Sequence, residues 1–551
     1  MHVLLDDQAT QRQLYFTDPV RVLTYRMGES VEAFFAAIEA AQADGHWIAG
    51  QFDYEFAAAL EPRLANLCDV GRLVARLGVF TPPSAHPPTD HLYRASPPDV
   101  TLVPDWSEAD YEARFARVQR YLRAGDAYQV NLTFPMSGAT EADAVALYAA
   151  YRSRQPGRYG AVISLGGPDI VSLSPELFFE RRDRSMRMRP MKGTRPKTAN
   201  DDMTADVKSR AENLMIVDLL RNDLSRLCEA GSVKVPELFA IEEYPTLVQM
   251  TSQVTGELKD GVGWQTIFKA LFPCGSVTGA PKIRAMEIIH ELEGALRGPY
   301  CGAVGYIAPN NDASFSVAIR TGTLQSGQFR YDVGSGVVLD SDGPDEYREC
   351  LLKANIWTPA PYTQFETMLN GPYGPIRAAR HAARFGQPLP DLGRATDLQR
   401  VRIDRFESGR ITLTQQDFEP LAEPLSLALS QHRLSERVQR IDIKTSRRDF
   451  YDGERRRVAA LCGADEVLFL DPNGHVMEGS FTSLFIELDG RLLTPRGPGL
   501  LPGVLRAELL DTGQATEAEL SPEDLRKADA LFVGNSLRGL MRAELITTDP
   551  I

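Results

Sequence analysis

Cysteine is scarce in this chain of 551 residues, and its placement excludes two common uses. The six cysteines are Cys68, Cys228, Cys274, Cys301, Cys350 and Cys462. None belongs to a CxxC pair or to a Cys/His cluster, so we expect neither a disulfide framework nor a zinc site. Scattered cysteines are typical of a reducing compartment, which predicts a cytoplasmic protein.

Long apolar runs and net positive charge are also missing. No stretch approaches the roughly 18 apolar residues that a membrane-spanning helix needs, so we expect no membrane span. The opening MHVLLDDQATQRQ soon becomes acidic and polar, so no signal peptide is expected either. The formal charge of −14 argues against nucleic acid or an anionic membrane as a partner.

The chain is too long for one hydrophobic core, and no repeat indicates a solenoid or propeller. One junction is clear: the charged helical stretch that ends in Trp357 is followed by TPAPY, whose prolines should end a helix. We expect an amino-terminal part over residues 1–100, a catalytic domain over 101–357, a linker over 358–362 and a smaller domain over 363–551.

Strand-like segments come in runs rather than in strict alternation with helices, which favours an α+β fold over a doubly wound sheet. In the large unit the strand-like segments are 160–166, 169–180, 315–324 and 329–338, and the clearest helices are 111–125, 206–228 and 282–293. In the smaller unit, residues 465–495 predict a meander with turns at Asn473-Gly474 and Asp489-Gly490.

Three glutamates on two predicted helices are candidate metal ligands. Glu212 shares a helix face with apolar residues, where a carboxylate is costly unless it is paired or bound to a metal. Glu346 and Glu349 lie on a second helix, with Lys353 one turn beyond Glu349. Oxygen ligands from two helices suit Mg²⁺. The alternatives are a helix-dipole interaction for Glu212 and an exposed Glu349–Lys353 pair.

Residues 272–287 combine a turn with the start of a helix. Gly, Ser and Thr residues make the turn, Pro281 stands at about the first helical position, and Lys282 follows it. Backbone N–H groups at a helix start, together with a lysine, suit a carboxylate or phosphate. The G-x-x-x-x-G-K-[ST] spacing of a P-loop is absent, so spacing alone indicates only a weak anion site.

Seven motifs, in order, resemble the chorismate-utilising enzymes, the family of the anthranilate, isochorismate, salicylate and aminodeoxychorismate synthases. They are SPELF (174–178), PMKGTRP (190–196), RAENLMIVDLLRNDLSR (210–226), FPCGSVTGAPKIRAMEII (272–289), CGAVGYI (301–307), VAIRT (317–321) and EYRE (346–349). The resemblance covers roughly residues 100–357. It implies a large chorismate-binding α/β sandwich in which Glu212 and Glu349, with Glu346 nearby, hold Mg²⁺.

Two positions imply the aminodeoxychorismate-forming branch of that family. This branch carries lysine at the Lys192 position, where relatives generally carry alanine, and ammonia users carry glutamine at the Gln129 position; the chain has both. Lys192, which would otherwise be read as a surface cation, is then implied to attack C2 of chorismate while Glu176 protonates the leaving 4-hydroxyl. The implied substrate contacts are Gln129, Gln249, Gly275, Thr278, Lys282, Tyr306, Arg320, Gly334 and Gly336.

The smaller unit contains a second candidate catalytic lysine, Lys444. Pyridoxal 5′-phosphate needs a lysine that binds it covalently, a carboxylate at its pyridine nitrogen, and a phosphate cradle of amides, hydroxyls and an arginine. Lys444, Glu478 and Arg384 are available for these roles, and the other cradle candidates are Thr482, Gly503, Val504, Asn535 and Ser536. The alternative is that Lys444 is an ordinary surface lysine.

Residues 364–546 resemble the D-amino-acid aminotransferase-like (fold type IV) pyridoxal phosphate enzymes. The motifs are FETM (365–368), RHAARF (380–385), IKTSRRDFY (443–451), MEGSFTS (477–483), LLPGVLR (500–506) and GNSLRG (534–539). The resemblance implies an α+β domain in which Lys444 removes the C4 proton of the substrate. It leaves open whether this domain acts as a lyase or a transaminase, and whether it forms a homodimer.

Together the resemblances imply amination of chorismate to 4-amino-4-deoxychorismate, then elimination of pyruvate to give 4-aminobenzoate for folate biosynthesis. No G-x-C-x-G nucleophile turn occurs in the chain, so ammonia is expected from a separate glutamine amidotransferase subunit. Two other interpretations are an anthranilate-type synthase fused to a fold type IV aminotransferase, and a regulatory chorismate sensor with decayed sites. Lys192 argues against the first, and the intact glutamates and lysines argue against the second.

Overall fold

The computed structural model describes residues 1–7, 10, 12–84, 100–152, 158–196, 207–243, 247–357, 363–406, 409–434, 444–446, 448–497, 500–546 and 550. The chain divides into two compact units, and the division falls between residues 358 and 359. The predicted linker lies outside the described residues, and the predicted domain boundaries stay predictions.

The first unit contains strands β1–β19 and helices α1–α8. The strands are β1 (His2–Asp7), β2 (Arg12–Thr17), β3 (Arg21–Arg26), β4 (Trp47–Phe52), β5 (Leu73–Phe80), β6 (Val103–Pro104), β7 (Gln129–Ala139), β8 (Tyr159–Ser164), β9 (Asp169–Ser174), β10 (Leu177–Arg182), β11 (Ser185–Arg189), β12 (Met191–Pro196), β13 (Lys234–Glu243), β14 (Leu247–Glu257), β15 (Gly279–Ala280), β16 (Ala303–Ile307), β17 (Ala313–Val317), β18 (Thr321–Gln325) and β19 (Gln328–Val337). The helices are α1 (Val31–Ala43), α2 (Ala57–Leu60), α3 (Glu108–Ala124), α4 (Ala144–Tyr151), α5 (Val207–Ser225), α6 (Trp264–Leu271), α7 (Lys282–Glu293) and α8 (Gly343–Ala354).

Two sheets form the body of this unit. Within the described residues, one sheet has nine strands in the order β15-β7-β19-β18-β9-β8-β1-β2, with β6 beside β7. The other has ten in the order β12-β14-β11-β10-β17-β16-β4-β5-β3, with β13 beside β14. Val3 and Ile163 of the first sheet share one buried core with Ala49 and Val304 of the second. The sheets therefore pack face to face, and the predicted sandwich is confirmed.

A second core lies on the opposite face of the ten-stranded sheet. Phe52 of β4 and Phe315 of β17 pack there against Phe35 of α1, Leu220 of α5 and Phe268 of α6. The ring centroids of Phe52 and Phe268 lie 4.4 Å apart. This packing fixes α5, the helix that carries the first predicted metal ligand, against the sheet.

The second unit contains strands β20–β31 and helices α9–α12. The strands are β20 (Thr363–Gly371), β21 (Gly374–Pro375), β22 (Gln399–Phe406), β23 (Ile411–Asp417), β24 (Leu425–Arg433), β25 (Glu466–Leu470), β26 (Val476–Gly479), β27 (Ser483–Leu488), β28 (Arg491–Pro495), β29 (Thr516–Ala518), β30 (Ala530–Asn535) and β31 (Gly539–Leu545). The helices are α9 (Ala378–Phe385), α10 (Asp449–Cys462), α11 (Val504–Asp511) and α12 (Pro522–Lys527).

The second unit is built on a small sheet and a barrel-like one. Within the described residues, the small sheet has the order β21-β20-β22-β23. The larger has the order β26-β25-β24-β31-β30-β27-β28-β29, and β26 also pairs with β27, which closes a ring of six strands. The predicted α+β class is confirmed in both units. The predicted turn at Asp489-Gly490 is also present, with φ of 50° and 71°.

No helix among the described residues is both long and apolar enough to cross a membrane.

Candidate active sites

In the first unit, the loop before α7 is pressed against the start of β7. Gly279 pairs with Val130 across the two strands, and the backbone N–H of Asn131 donates to the carbonyl of Thr278 at 2.8 Å. A Cβ on Gly279 would lie 2.1 Å from the carbonyl oxygen of Gln129, and its φ is +151°. Only glycine allows this approach, so the loop and β7 form one wall.

Gln129 stands on that wall with its side chain fully buried. Neither the Oε1 nor the Nε2 atom of its amide has a hydrogen-bond partner among the residues that the structure describes. Because an unpartnered buried amide costs free energy, such a group is typical of a site where a ligand supplies the partner. The predicted ammonia-site residue therefore has the hydrogen-bonding capacity that its role requires.

Glu176 lies between β9 and β10 and is also buried. The hydroxyl of Ser276, in the same loop as Gly279, donates to Glu176 Oε1 at 2.7 Å. The Glu176 carbonyl accepts from the backbone N–H of Val317 at 3.1 Å. One loop thus contacts both the strand that carries Gln129 and the carboxylate of Glu176. Ser276 was not among the predicted site residues.

Lys282 opens α7, and Pro281 is the N-cap residue rather than the first helical residue. The Lys282 ammonium donates to Asp223 Oδ2 at 2.9 Å and to the Leu271 carbonyl at 3.0 Å. An anionic substrate would have to compete with this pair, so the role of Lys282 in substrate binding stays a prediction. Asp223 was missed, although it lies about three turns along α5 from Glu212, on the same helix face.

Four predicted or flagged residues meet at the end of α8. Arg320 Nη1 donates to the carbonyl of Lys353 at 2.7 Å, and the Lys353 ammonium donates to the carbonyl of Gly334 at 2.8 Å. The same ammonium pairs with Glu349 Oε1 at 2.6 Å. Arg320, Gly334 and Glu349 are therefore brought together, with Lys353 joining them.

The predicted metal ligands do not form a ready cluster. Within the described part of the chain, no group of three His, Cys, Asp or Glu side chains is placed to hold a metal ion. Glu346 is buried on α8, whereas the Glu349 side chain is 52% exposed and paired with Lys353. Mg²⁺ needs only one or two protein carboxylates, but it would have to draw Glu349 away from that lysine. The magnesium site stays a prediction.

The backbone places the remaining contacts along the strands. Gly334 pairs with Thr133 and Gly336 with Asn131 across β19 and β7. Tyr306 is buried on β16.

The loop residues among the predicted contacts are tightly packed. A Cβ on Gly275 would lie 2.4 Å from the Leu219 side chain of α5. The Thr278 hydroxyl donates to the Cys274 carbonyl at 3.2 Å. The side chains of Lys192 and Gln249 lie outside the described residues.

The backbone of Lys192 is described, and it belongs to β12. Lys192 pairs with Met250, and Thr194 pairs with Gln249, on the adjacent strand β14. The two positions are therefore neighbours on paired strands.

In the second unit, Lys444 is partly buried beside β20. Its carbonyl accepts from the backbone N–H of Phe365 at 2.8 Å, and its ammonium nitrogen lies 4.9 Å from the Phe365 ring centroid. Shielding from water lowers the pKa of Lys444 to about 7, and the Arg384 cation lowers it further than Glu366 can restore. A lysine with this pKa is substantially neutral at physiological pH, which is the nucleophilic form.

Arg384 lies in the last turn of α9. Its Nε and Nη2 atoms donate to Glu366 at 2.8 and 2.6 Å, and its Nη1 donates to the carbonyl of Pro502 at 2.9 Å. Pro502 precedes Gly503, the N-cap of α11, which makes no side-chain capping bond. A guanidinium beside the N–H groups of a helix start is a receptor for phosphate. The predicted Gly503 and Val504 positions fit the phosphate of pyridoxal phosphate.

Glu478 is the carboxylate of this site. It is buried, and burial raises its pKa to about 7 despite hydrogen bonds from the Leu501 N–H and the Tyr451 hydroxyl, both at 3.1 Å. The charge of Arg448 lowers the pKa of both Glu478 and Lys444. Arg448 therefore acts on both groups, although it was not predicted.

Three predicted cradle residues already have partners in the protein. The Thr482 hydroxyl donates to buried Glu466 at 2.8 Å. The Asn535 side-chain oxygen accepts from the Leu537 N–H at 3.1 Å. Ser536 Oγ lies 2.7 Å from His381 Nε2. Their roles in cofactor binding stay predictions.

Residues 1–359 match the family model described as chorismate binding enzyme, and residues 394–546 match the one described as amino-transferase class IV. Aminodeoxychorismate synthase component 1 of Klebsiella aerogenes is 39% identical over 267 residues, which are 46% of this chain and 59% of that protein. Anthranilate synthase component 1 of Streptomyces coelicolor is 38% identical over 282 residues, 50% of this chain and 54% of that protein. The chain thus spans less than two thirds of the length of these relatives. The crystal structure of anthranilate synthase component I from Streptococcus pneumoniae shares the fold, with 23% identity, a TM-score of 0.54, and coverage of 62% of this chain and 91% of that one.

Proposed function

The chain belongs to the chorismate binding enzymes, and from that premise we propose that its first unit aminates chorismate to 4-amino-4-deoxychorismate. The second unit, which matches the class IV amino-transferases, then eliminates pyruvate and releases 4-aminobenzoate, a folate precursor. Ammonia is supplied by a separate glutamine amidotransferase subunit. The chain itself provides the two catalytic lysines.

The observation that carries the first step is the buried, unpartnered amide of Gln129 beside the loop that contacts Glu176. An amide offers an acceptor and two donors. Its Oε1 would accept a hydrogen bond from ammonia, and its Nε2 would donate to an oxygen of chorismate. A protonated lysine at this position would present only donors. It could donate to a water molecule, but it could not accept a hydrogen bond from ammonia.

The first reaction is a double displacement. The neutral amine of Lys192 attacks C2 of chorismate, the ring double bond shifts, and the C4–O bond breaks. Glu176 gives its proton to the departing hydroxyl, which leaves as water. The hydroxyl of Ser276, which donates to Oε1 of Glu176, would hold the carboxyl group in position. Ammonia then adds at C4 and expels the lysine amine.

The second unit has residues that fit pyridoxal phosphate, which supplies an electron sink when bound. Arg384 and the first turn of α11 would hold its phosphate, Glu478 would face its pyridine nitrogen, and Lys444 would bind it covalently. The amine of Lys444 would also remove the C4 proton of the substrate. A pKa of about 7 suits a base that must be neutral at physiological pH.

The direct test is the product of the complete reaction. Purified protein would be incubated with chorismate, ammonium, Mg²⁺ and pyridoxal phosphate, and we expect 4-aminobenzoate and pyruvate by chromatography. Release of 2-aminobenzoate would instead indicate an anthranilate-type synthase. Absence of any aromatic product would contradict the proposal.

A variant separates the two steps. Lys444→Ala should lower 4-aminobenzoate formation by at least about 10²–10⁴-fold, the usual contribution of a positioned base, while aminodeoxychorismate accumulates. The matched control is Lys527→Ala, which removes an exposed lysine of α12 and should change neither product. Release of 4-aminobenzoate at the wild-type rate by Lys444→Ala would exclude the assigned role of this lysine.

A further inference from the structure

Three side chains of the second unit form a continuous polar chain in its interior. Glu366 Oε2 lies 2.6 Å from His381 Nδ1, and His381 Nε2 lies 2.7 Å from Ser536 Oγ. Glu366 and His381 are fully buried, and Ser536 is 7% exposed. The motifs RHAARF and GNSLRG contain two of these residues, but the proposed mechanism uses neither His381 nor Glu366.

The hydrogen-bond partners of these three side chains fix where their protons lie. Glu366 also receives two hydrogen bonds from Arg384, so it is a carboxylate and only accepts. The proton between Glu366 and His381 therefore sits on Nδ1. A neutral imidazole then has a bare Nε2, which accepts the hydroxyl proton of Ser536. In this state Ser536 presents lone pairs, and not its proton, to any bound ligand.

An anion at Ser536 would meet those lone pairs and be repelled. The arrangement reverses when His381 gains a proton at Nε2, because Ser536 then accepts from the imidazolium and turns its own proton to the anion. We propose that an oxyanion, either the cofactor phosphate or a substrate carboxylate, binds at Ser536 together with one proton, which His381 takes up. This inference rests on the function proposed for the second unit.

The charges around His381 favour a neutral ring before the anion arrives. Burial lowers the pKa of His381, Glu366 of β20 raises it, and the Arg384 and Lys444 cations lower it. Arg377 also faces this region, since its Nη1 donates to the carbonyl of Ser536.

One further acidic residue, Glu508, lies near His381 and Ser536 through its contact with Arg377. Glu508 of α11 accepts from Arg377 Nε at 2.5 Å, so that cation is already paired. An added anion within hydrogen-bond range of Ser536 would favour the imidazolium, which is the direction that the proposal requires.

The test measures protons taken up on binding. Cofactor-free protein would be titrated calorimetrically with pyridoxine 5′-phosphate, which lacks the aldehyde, and separately with 4-aminobenzoate. Each titration is run in two buffers of different ionisation enthalpy at about pH 8, above the ordinary histidine pKa. We expect the wild type to take up close to one proton more than His381→Gln or Ser536→Ala with at least one ligand. His432→Gln, which removes another buried histidine, should behave as the wild type.

The two ligands separate the sources of the anion. If extra protons are taken up with pyridoxine phosphate alone, the anion at Ser536 is the cofactor phosphate. If they are taken up with 4-aminobenzoate alone, the anion is a substrate carboxylate. Binding with equal proton numbers in wild type and His381→Gln would overturn the proton coupling and leave the proposed function standing. If the wild type binds neither ligand, the proposed function of the unit and the coupling both fall.

Discussion

The reactivity of Lys444 is the sharpest consequence of the second site. With a pKa of about 7, roughly three quarters of its amines are neutral at about pH 7.5, against about 0.1% for an ordinary lysine of pKa ~10.4. The neutral fraction therefore differs by roughly 600-fold. Two features cause the shift: the amine is shielded from water, and Arg384 repels a positive charge there.

Trace labelling of amines measures the pKa of Lys444 directly. Cofactor-free protein would be exposed to limiting fluorodinitrobenzene from about pH 5 to about pH 11, a range that spans both pKa values, with N-acetyl-lysine as the reference nucleophile. The labelled peptide that contains Lys444 is quantified by mass spectrometry. The measurement is the pH of half-maximal labelling rather than the absolute rate, because a lower pKa also lowers intrinsic nucleophilicity. We expect that midpoint near pH 7.

Two variants test the cause of the shift. Arg384→Met removes a repelling cation, so the labelling midpoint of Lys444 should move up. Glu366→Gln removes an attracting anion, so the midpoint should move down. A wild-type midpoint near that of N-acetyl-lysine would refute the assignment of Lys444 as a neutral amine. Movement of both variants in one direction would refute the charge argument.

Three other predictions concern the first unit. Lys192→Ala should lose most amination at low ammonia while keeping its circular dichroism spectrum, because the covalent route is removed; unchanged turnover would exclude the nucleophile. Glu349→Gln should raise the Mg²⁺ concentration needed for half-maximal amination, because it removes an anionic ligand. An unchanged Mg²⁺ titration would exclude Glu349 as a ligand. Arg297→Met should lower the free energy of unfolding by about 3–5 kcal/mol in urea, because it strands Glu293, whose carboxylate lies 2.7 Å from the guanidinium with both side chains buried. Adding Glu293→Gln should recover part of that loss, and a further decrease would contradict the ion-pair explanation.

Local patterns predicted much of the fold. The helix expected over 282–293 has those bounds in α7, because its start and its end carry their own signals, Pro281 before it and Gly294 in the left-handed region after it. The two families read from the motifs are confirmed by the matches over residues 1–359 and 394–546. Both results depend on residues close together in sequence.

The site partners could not be predicted because they come from distant parts of the chain. Asp223 meets Lys282 across two helices, and Ser536 meets His381 across more than a hundred residues. The spacing of residues within one helix or strand does not predict contacts with distant parts of the chain. The contact between the Thr482 hydroxyl and Glu466 was likewise not predicted, and the role of Thr482 in cofactor binding stays a prediction.

The two sites differ in how they satisfy their buried polar groups, and the difference follows their proposed ligands. In the first unit, the Gln129 amide has no partner among the described residues, so its desolvation cost is offset only when the proposed ligands supply the missing hydrogen bonds. In the second, the Arg384 guanidinium is held by Glu366 before any ligand arrives. A preorganised set of donors suits a dianionic phosphate, since side chains already fixed in place lose little further freedom on binding.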